Sequence, residues 1–202
     1  MISSTCNTIF LRSVNAYHLT NDVDAPMQNP YQKGSLEYLL YWKNHIDTVQ
    51  WHLEDIVRDP HIDPVKGLDL KRRIDRSNQE RTDMVEQIDD HFLHQYSNVV
   101  PLDHATINTE SPAWAIDRLS ILVLKIYHME EEVKRQEVSD AHRAACSAKL
   151  QILLTQQGDL SQSIDELLAD IASGKKKMRV YRQMKMYNDP SLNPVLYNLK
   201  GK

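Results

Sequence analysis

The sequence predicts an all-α protein, folded as a single-domain bundle of four long helices with short terminal helices. Apolar residues recur at three- and four-residue steps over long stretches, as on one face of a helix. Only 5 of the 202 residues are glycine, and helix-favouring Leu, Lys, Glu and Gln are abundant. Prolines fall between the periodic stretches, where they end helices. The predicted long helices are residues 35–58, 65–96, 112–136 and 139–173 of one domain, residues 1–202.

Shorter segments flank these four helices. Residues 5–18 alternate apolar and polar side chains at helical spacing, which predicts a short amphipathic helix packed on the bundle as a lid. Residues 19–34 contain two prolines and a glycine, so we expect an extended connection anchored to the bundle. Residues 188–202 are expected to form a C-terminal tail, because two prolines prevent a helix from continuing.

The first two long helices each carry one unusual residue. Trp51 lies nearly opposite the apolar stripe of residues 35–58. Either that helix is covered on two sides, or Trp51 lines a ligand or partner surface. Arg81 falls in the middle of the apolar stripe of residues 65–96. An arginine centred on a buried face either extends to water or meets a carboxylate.

The third long helix is the one around which we expect the others to pack. Ser111 suits the N-cap and Pro112 the first helical position. Residues 119–127 are apolar on nearly every side, which is typical of a helix surrounded by others. The helix also carries four polar residues, Asp117, Arg118, Lys125 and His128. Burying such groups without partners costs on the order of several kcal/mol each, so we expect neighbouring helices to supply partners.

A basic segment follows the fourth long helix. Gly158 is expected to weaken or bend that helix, and Gly174 to end it. Residues 175–185 then contain Lys175, Lys176, Lys177, Arg179, Arg182 and Lys185. We interpret this run as a solvated helix end, with a contact to an anion, RNA or a membrane as the alternative. Tyrosine and methionine in residues 178–187 suggest homo-oligomerisation as a further hypothesis.

Composition narrows the class of protein. A formal net charge of −4 gives no overall attraction to nucleic acid, and basic residues are not interleaved with aromatics as in RNA-binding surfaces. No apolar run approaches the ~18 residues of a membrane span, and the N-terminus lacks a signal-peptide pattern. Cys6 and Cys146 are too few and too far apart for a disulfide framework. We therefore expect a cytoplasmic protein with no nucleic-acid partner and no membrane span.

The common signatures of catalysis and metal binding are missing from the sequence. Its scattered glycines cannot form a phosphate-cradling loop. Neither the Glu-x-x-His pairs of di-iron bundles nor a His-Glu-x-x-His zinc motif occurs. His45 and His52 lie two turns apart, about 10 Å along a helix, which is too far to share one ion. The sequence therefore predicts no metal site and no cofactor.

A group of polar residues on three helices remains as the candidate site. Packed together, they could line a concave pocket suited to an anionic ligand such as a phosphate or a nucleotide sugar. The predicted ligand-binding residues are Arg58, Lys71, Asp75, Asn78, Arg81, Asp89, Arg118 and Lys125. The candidate catalytic residues are His52 or His128 as acid and base, with Asp55 or Asp117 as the orienting carboxylate. The competing interpretation is a buried salt-bridge network that fixes the register of the helices.

Four long segments of the chain resemble a known family. They read LLYWKNHIDTVQWHLEDIVRDP, KRRIDRSNQERTDMVEQID, NTESPAWAIDRLSILVLKIYHMEEE and VYRQMKMYNDPSLNPVLY. They resemble the bacterial family catalogued as domain of unknown function 4254, over about residues 5–198. The resemblance implies a small soluble protein of Bacteroidetes-type bacteria, encoded beside glycosyltransferases of surface-glycan assembly. The family has no assigned activity or ligand residues, so no residue role is carried over.

These observations give two hypotheses for function. The first is a non-catalytic binding or accessory protein in surface-glycan (lipopolysaccharide-type) biosynthesis, which holds an anionic small molecule or a glycosyltransferase-type partner protein. The alternative is an enzyme that acts on a phosphorylated or nucleotide-linked sugar through a His/Asp cluster. An open cleft containing His52, Asp55, Asn78 and His128 would favour the enzyme. Closed ion pairs beside a large exposed apolar patch would favour the partner role.

Overall fold

A computed structural model describes residues 1–184, 186 and 189–198 of the chain. Within these residues the helices are α1 (Ile2–His18), α2 (Leu36–Val57), α3 (Pro64–Gln95), α4 (Pro112–Lys134), α5 (Asp140–Ala172) and α6 (Pro194–Asn198). The described residues form no strand, and one isolated bridge joins Thr106 to Lys176. The predicted all-α fold is confirmed.

All four long helices begin at a side chain that caps them. The caps are Ser35, Asp63, Ser111 and Ser139, and each accepts a hydrogen bond from the backbone N–H three residues further on. Each cap satisfies one of the amides that a helix start leaves without an intrahelical partner. In α3 and α4 a proline follows the cap, where its missing N–H costs nothing. These local signals explain why the predicted helix bounds differ from the observed ones by no more than two residues.

Helix α5 ends at Gly174, as predicted. The φ of Gly174 is +74°, in the left-handed region that favours glycine. A Cβ at this position would lie 2.8 Å from the Val100 carbonyl oxygen, so the close approach of the loop also requires glycine. Gly158 lies inside α5 without interrupting it, so the predicted weak point is a continuous helix.

The basic segment after α5 folds back against the rest of the chain. The Lys177 N–H donates to the Thr106 carbonyl oxygen at 2.8 Å, and Arg182 forms ion pairs with Glu86 and Asp90 of α3. Part of the segment predicted to be solvated is therefore an intramolecular contact. Tyr181 and Met184 are exposed. The remaining members of the predicted segment, Lys185 and Tyr187, lie outside the described residues.

Helix α1 is a core element, which corrects the prediction of a short lid. It begins at Ile2 and packs against α2, α4 and α5. Cys6, Phe10 and Val14 are completely buried. Full burial of a large apolar side chain contributes roughly 1.5–3 kcal/mol. The same core contains one fully buried or nearly fully buried residue from each other long helix: Leu40, Val85, Ile116 and Ile164.

Helix α2 is buried through a polar face as well as an apolar one. It packs against α1, α3 and α4, so it is covered on more than one side. Lys43, Asn44 and Asp47 lie inside, whereas Trp42 of the predicted apolar stripe is only half-buried. This arrangement places charged groups between α2 and its neighbours. None of the helices in the described part of the chain is long and apolar enough to cross a membrane.

Candidate functional site

Four charged side chains meet between α2, α3 and α4, and we call them the four-charge network: Lys43, Asp47, Arg81 and Asp117. Lys43 Nζ contacts the Asp47 carboxylate and lies 2.6 Å from Asp117 Oδ1. Arg81 Nε lies 3.0 Å from Asp47 Oδ1, and Arg81 Nη2 lies 2.6 Å from Asp117 Oδ2. Each cation therefore contacts both carboxylates. Two positive and two negative charges balance inside the bundle.

Neutral donors complete the hydrogen bonding of the four-charge network. Ser120 Oγ donates to Asp47 Oδ2 at 2.6 Å, and Asn44 Nδ2 donates to Ser120 Oγ at 2.9 Å. Asn44 and Ser120 are completely buried. A buried ion pair is tolerated when such hydrogen bonds satisfy the remaining polar atoms. The network therefore connects α2, α3 and α4 through both charge and hydrogen bonding.

Burial and charge act in opposite directions on the pKa values of this network. Burial raises the pKa of Asp47 above its ordinary value, although the Lys43 ammonium counteracts part of the rise. For Arg81, burial lowers the pKa, but the Asp47 and Asp117 carboxylates outweigh that effect and the pKa is raised. The guanidinium therefore stays charged and remains a fixed cation at the edge of the network.

Arg81 also connects the network to solvent. Its side chain is 28% exposed, whereas those of Lys43 and Asp47 are fully buried. It lies in the wall shared by two cavities. The first, of about 440 Å³, is lined by Asp47, Gln50, Trp51, Asp55, Arg58 and Arg81 among others. The second, of about 560 Å³, is lined among others by Arg81, Arg118, Lys125, Gln156, Asp159 and Ser163.

A third cavity adjoins both of these and is mostly apolar. It has a volume of about 550 Å³, and its lining includes Trp51, Lys125, His128, Met129, Ile152 and Leu153. Trp51 is shared with the first cavity and Lys125 with the second. We call the three adjoining cavities together the central groove. Each has the volume of a small-molecule site.

Three histidines from three helices meet beside Trp51, and we call them the three-histidine cluster: His18 of α1, His52 of α2 and His128 of α4. One ring nitrogen from each lies within 4.8 Å of those of the other two. The Nε2 atoms of His18 and His52 are 3.3 Å apart. Aromatic neighbours fix the rings, because Tyr17 stacks on His52 at 4.8 Å and Trp51 on His128 at 4.9 Å between ring centroids.

The environment of the cluster favours neutral imidazoles. Burial lowers the pKa of His128 to about 4, and the nearby His18 and His52 add to the shift. Burial likewise lowers the pKa of His52, with His18 contributing. A neutral imidazole keeps a lone pair on one ring nitrogen, which can accept a proton or bind a metal ion.

A second group in the described part of the chain has the residue types and spacing of a metal site: Glu132, His142 and Cys146. The His142 Nε2 atom lies 3.3 Å from Glu132 Oε2 and 3.4 Å from Cys146 Sγ. Glu132 also pairs with Arg135 at 2.9 Å, so a cation already occupies part of its carboxylate. The single nitrogen contacted by both neighbours makes this group a less open set of ligands than the three-histidine cluster.

Several predicted site residues do line the central groove, although their ligand-binding and catalytic roles stay predictions. Asp55 and Arg58 line the first cavity and lie 3.8 Å apart. Arg118 lines the second cavity and pairs with Glu110 at 3.0 Å. Lys125 lines the second and third cavities and forms no ion pair within the described part of the chain.

Other predicted site residues lie elsewhere or have other partners, which corrects the single pocket expected from the sequence. Lys71 and Asp75 pair with each other on the exposed surface of α3 and do not line the central groove. Asp89 is buried and accepts hydrogen bonds from Ser111 Oγ and the Ala113 N–H. Its carboxylate therefore supports the start of α4.

Two amide and carboxylate assignments also change. Asn78 Oδ1 accepts a hydrogen bond from Gln50 Nε2 at 2.9 Å. Asp117, the candidate orienting carboxylate, contacts Lys43 and Arg81. These two cations occupy the oxygens that a catalytic histidine would need.

Sequence reasoning missed several residues that organise this region. Lys43 and Asp47 are four apart on α2, so one face of a helix carries both, but that face was assigned as the polar side. His18 was missed because it comes from the segment predicted to be a lid. Its approach to His52 and His128 depends on tertiary packing, and no spacing within one helix signals it.

Comparison with known proteins identifies the family. The family model described as protein of unknown function (DUF4254) matches residues 37–180, which include the four-charge network and the residues named here as lining the central groove. No curated protein and no solved structure matches the chain. Because the match covers most of the sequence, the chain belongs to the DUF4254 family of proteins of unknown function.

Proposed function

We propose that this protein binds a phosphorylated sugar or a sugar nucleotide in the central groove, as a non-catalytic accessory protein of surface-glycan synthesis. The glycan context follows the family resemblance, and the groove supplies the ligand chemistry. One observation carries the proposal. Two cations, Arg81 and Lys125, line the same cavity of about 560 Å³, and Lys125 has no ion-pair partner within the described residues.

The two cations have complementary properties for holding a phosphate. Asp47 and Asp117 hold Arg81 on its Nε and Nη2 atoms, so the direction of its guanidinium is set before a ligand arrives. Pre-organisation of this kind reduces the entropy lost on binding. Lys125 is exposed and can move its ammonium toward an anion. A phosphate between them would gain charge-assisted hydrogen bonds from both.

The rest of the groove suits the remainder of such a ligand. Asp159, Gln156 and Ser163 line the same cavity as the two cations and can hydrogen-bond sugar hydroxyls. Trp51 borders the first and third cavities and offers an aromatic surface for a sugar or base. The mixture of fixed cations, polar groups and one tryptophan favours a phosphorylated carbohydrate over a purely apolar ligand.

Isothermal titration calorimetry with UDP-glucose and glucose 1-phosphate tests the proposal, with glucose as the unphosphorylated comparison. We expect both phosphorylated probes to bind and to raise the melting temperature, because they bind the folded state. A hydrogen bond to a charged group contributes about 1.5–3 kcal/mol, so Lys125→Ala should weaken binding by roughly 10- to 100-fold.

Lys71→Ala is the matched control, since Lys71 is also an exposed helical lysine but pairs with Asp75 away from the groove. Its affinity for the probes should equal that of the unsubstituted protein. Failure of both phosphorylated probes to bind would contradict the proposal. Equal affinity in the Lys125→Ala variant would also contradict it.

An enzyme acting on the same class of ligand is the second candidate. It is favoured by one observation: His128 borders the third cavity and Asp55 the first, on either side of Trp51. Phosphorus-31 NMR of UDP-glucose or glucose 1-phosphate incubated with the protein separates the two candidates. A product that forms with the unsubstituted protein but not with His128→Phe would support the enzyme, whereas an unchanged ligand would support binding alone.

A further inference from the structure

We propose that His18, His52 and His128 bind a divalent transition-metal ion, with Zn²⁺ as the best fit. This site goes beyond the proposed function, and its argument does not depend on a phosphorylated ligand. The three side chains come from α1, α2 and α4, and one ring nitrogen from each lies within 4.8 Å of those of the other two. All three residues are partly buried, so the cluster is accessible without being a random surface group.

The separation of the first two nitrogens matches the geometry of zinc. In a tetrahedral site with Zn–N bonds of about 2.0–2.1 Å, two ligand nitrogens lie about 3.3 Å apart. The Nε2 atoms of His18 and His52 are 3.3 Å apart. Bringing the third imidazole to the same spacing requires closing the largest separation by no more than roughly 1.5 Å. Small side-chain rotations provide movements of this size.

The hydrogen bonding around the cluster presents lone pairs toward its centre. His18 Nδ1 lies 2.8 Å from the Val14 carbonyl oxygen, an acceptor, so Nδ1 carries the proton and Nε2 carries the lone pair. This is the arrangement in which a second hydrogen bond orients a metal-binding histidine. For His52, metal binding requires its proton to be on Nδ1, since Nε2 faces His18.

An ordinary hydrogen bond between His18 and His52 does not account for the third member. His128 Nε2 is buried and has no hydrogen-bond partner. A buried polar atom without a partner costs about 1–3 kcal/mol, so such atoms call for an explanation. A metal ion at the centre of the cluster would give all three nitrogens the same partner.

The surroundings hold the rings in place and leave room for a fourth ligand. Stacking on Tyr17 and Trp51 restricts the rings of His52 and His128, and Tyr127 lies 4.3 Å from His18 between ring centroids. Three protein ligands are typical of zinc sites that keep one position open for water or a ligand oxygen. His128 also borders the third cavity, so the ion would lie beside the central groove.

Metal loading of the full chain tests the site. The protein is stripped with EDTA, dialysed against Zn²⁺, and its metal content measured by mass spectrometry. We expect one tightly bound equivalent. Replacing Zn²⁺ with Co²⁺ should give the strong visible absorption of a four-coordinate site. His52→Ala should lose that equivalent and that absorption while its circular dichroism stays helical.

The second group of metal-ligand residues supplies the matched controls. His142→Ala and Cys146→Ser should keep the bound equivalent and the Co²⁺ spectrum. Loss of metal in these variants but not in His52→Ala would overturn the proposal, as would the absence of bound metal in the unsubstituted protein.

X-ray absorption of the Zn²⁺-loaded, unsubstituted protein keeps the test decisive if His52→Ala does not fold. We expect imidazole scattering and only nitrogen or oxygen neighbours. A sulfur neighbour at about 2.3 Å would assign the ion to Cys146 and overturn the proposal. None of these measurements involves a phosphorylated probe, so failure here is distinguishable from failure of the proposed function.

Discussion

Lys43 is a completely buried lysine whose ammonium has three oxygen neighbours. It contacts the Asp47 carboxylate, lies 2.6 Å from Asp117 Oδ1, and lies 3.5 Å from the Asp117 carbonyl oxygen. Removing a charge from water costs several kcal/mol, and the attraction to its partners only partly offsets that cost. The four-charge network is therefore weak evidence for high stability. It does make each member sensitive to the loss of another.

Substitution of Lys43 by methionine tests that sensitivity. Met fills a similar volume but leaves two buried carboxylates facing one guanidinium, so the free energy of unfolding should fall by about 3–5 kcal/mol. Urea denaturation followed by circular dichroism measures the change. Lys71→Met is the control, because Lys71 forms the same four-residue pair with Asp75 but on the surface. Its effect should stay within about 0.5 kcal/mol, and similar losses in both variants would contradict the role of burial.

His45 gives a pH-dependent prediction at the same scale. Burial lowers the pKa of His45 in the folded protein. As the pH falls below the ordinary histidine value of about 6.5, the unfolded chain binds more protons than the folded one, so stability is lost until the lowered pKa is reached. His45→Phe removes this contribution. Its free energy of unfolding should therefore fall less between pH 7 and pH 5 than that of the unsubstituted protein.

The comparison for His45 is a difference between two pH curves. His52 and His128, whose pKa values are also lowered, titrate in both proteins and cancel in that difference. Parallel curves for the two proteins would contradict the prediction. Denaturant titrations at a series of pH values provide the measurement.

Arg81 and Lys43 show what sequence patterns reveal about a buried charge. Arg81 was identifiable because it interrupts a regular apolar stripe, and the prediction that it meets a carboxylate or reaches water is confirmed in both respects. Lys43 was not identifiable, because it lies on a face whose other members are also polar. A helix covered on several sides hides its buried polar face from a pattern that assumes one apolar side.

At the scale of the helices, the start of α4 depends on a residue of α3. Asp89 Oδ2 accepts a hydrogen bond from Ser111 Oγ at 2.6 Å, and Asp89 Oδ1 accepts one from the Ala113 N–H at 3.2 Å. Ser111 Oγ in turn accepts from the Trp114 N–H at 3.4 Å. A buried carboxylate at a helix N-terminus also interacts favourably with the helix dipole. The cap of α4 is therefore supported from outside the helix.

Asp89→Ala should separate this tertiary support from the cap alone. The substitution leaves the Ser111 hydroxyl and the Ala113 N–H buried without their acceptor, so we expect a loss of about 2–3 kcal/mol in the free energy of unfolding. Thermal and urea unfolding measure it. Asp90→Ala, at the neighbouring exposed position that pairs with Arg182, should cost less than about 1 kcal/mol. An equal loss in both variants would exclude a special role for Asp89.

The bounds of the long helices were predictable because capping is local. Ser111 followed by Pro112 needs no knowledge of the rest of the fold, and the same is true of Gly174 at the other end of a helix. Asp89 shows the limit of that reasoning. Its position on α3 suggested a ligand-binding residue, and only the packing of α3 against α4 makes it a structural acceptor.

At the scale of the whole molecule, α1 completes both the core and the three-histidine cluster. The interval matched by the family begins at residue 37, after α1 has ended at His18. Even so, Phe10 and Cys6 are fully buried among residues from α2 to α5. The sequence indicated the helical character of this segment, but its short length suggested a lid. The depth of its burial follows from contacts with three other helices, which a local pattern does not contain.

Removal of residues 1–34 should therefore disrupt the whole bundle. Without α1 the core loses the fully buried Phe10, and truncating one buried aromatic side chain alone typically costs about 3–5 kcal/mol, a large part of the total stability of a domain. We expect the shortened chain, which starts at Ser35, to lose its cooperative urea unfolding transition. A chain ending at Val180, which lacks the exposed Tyr181 and Met184, is the control and should keep that transition. A shortened chain that starts at Ser35 and unfolds at the same urea concentration as the full protein would show that α1 is a dispensable lid after all.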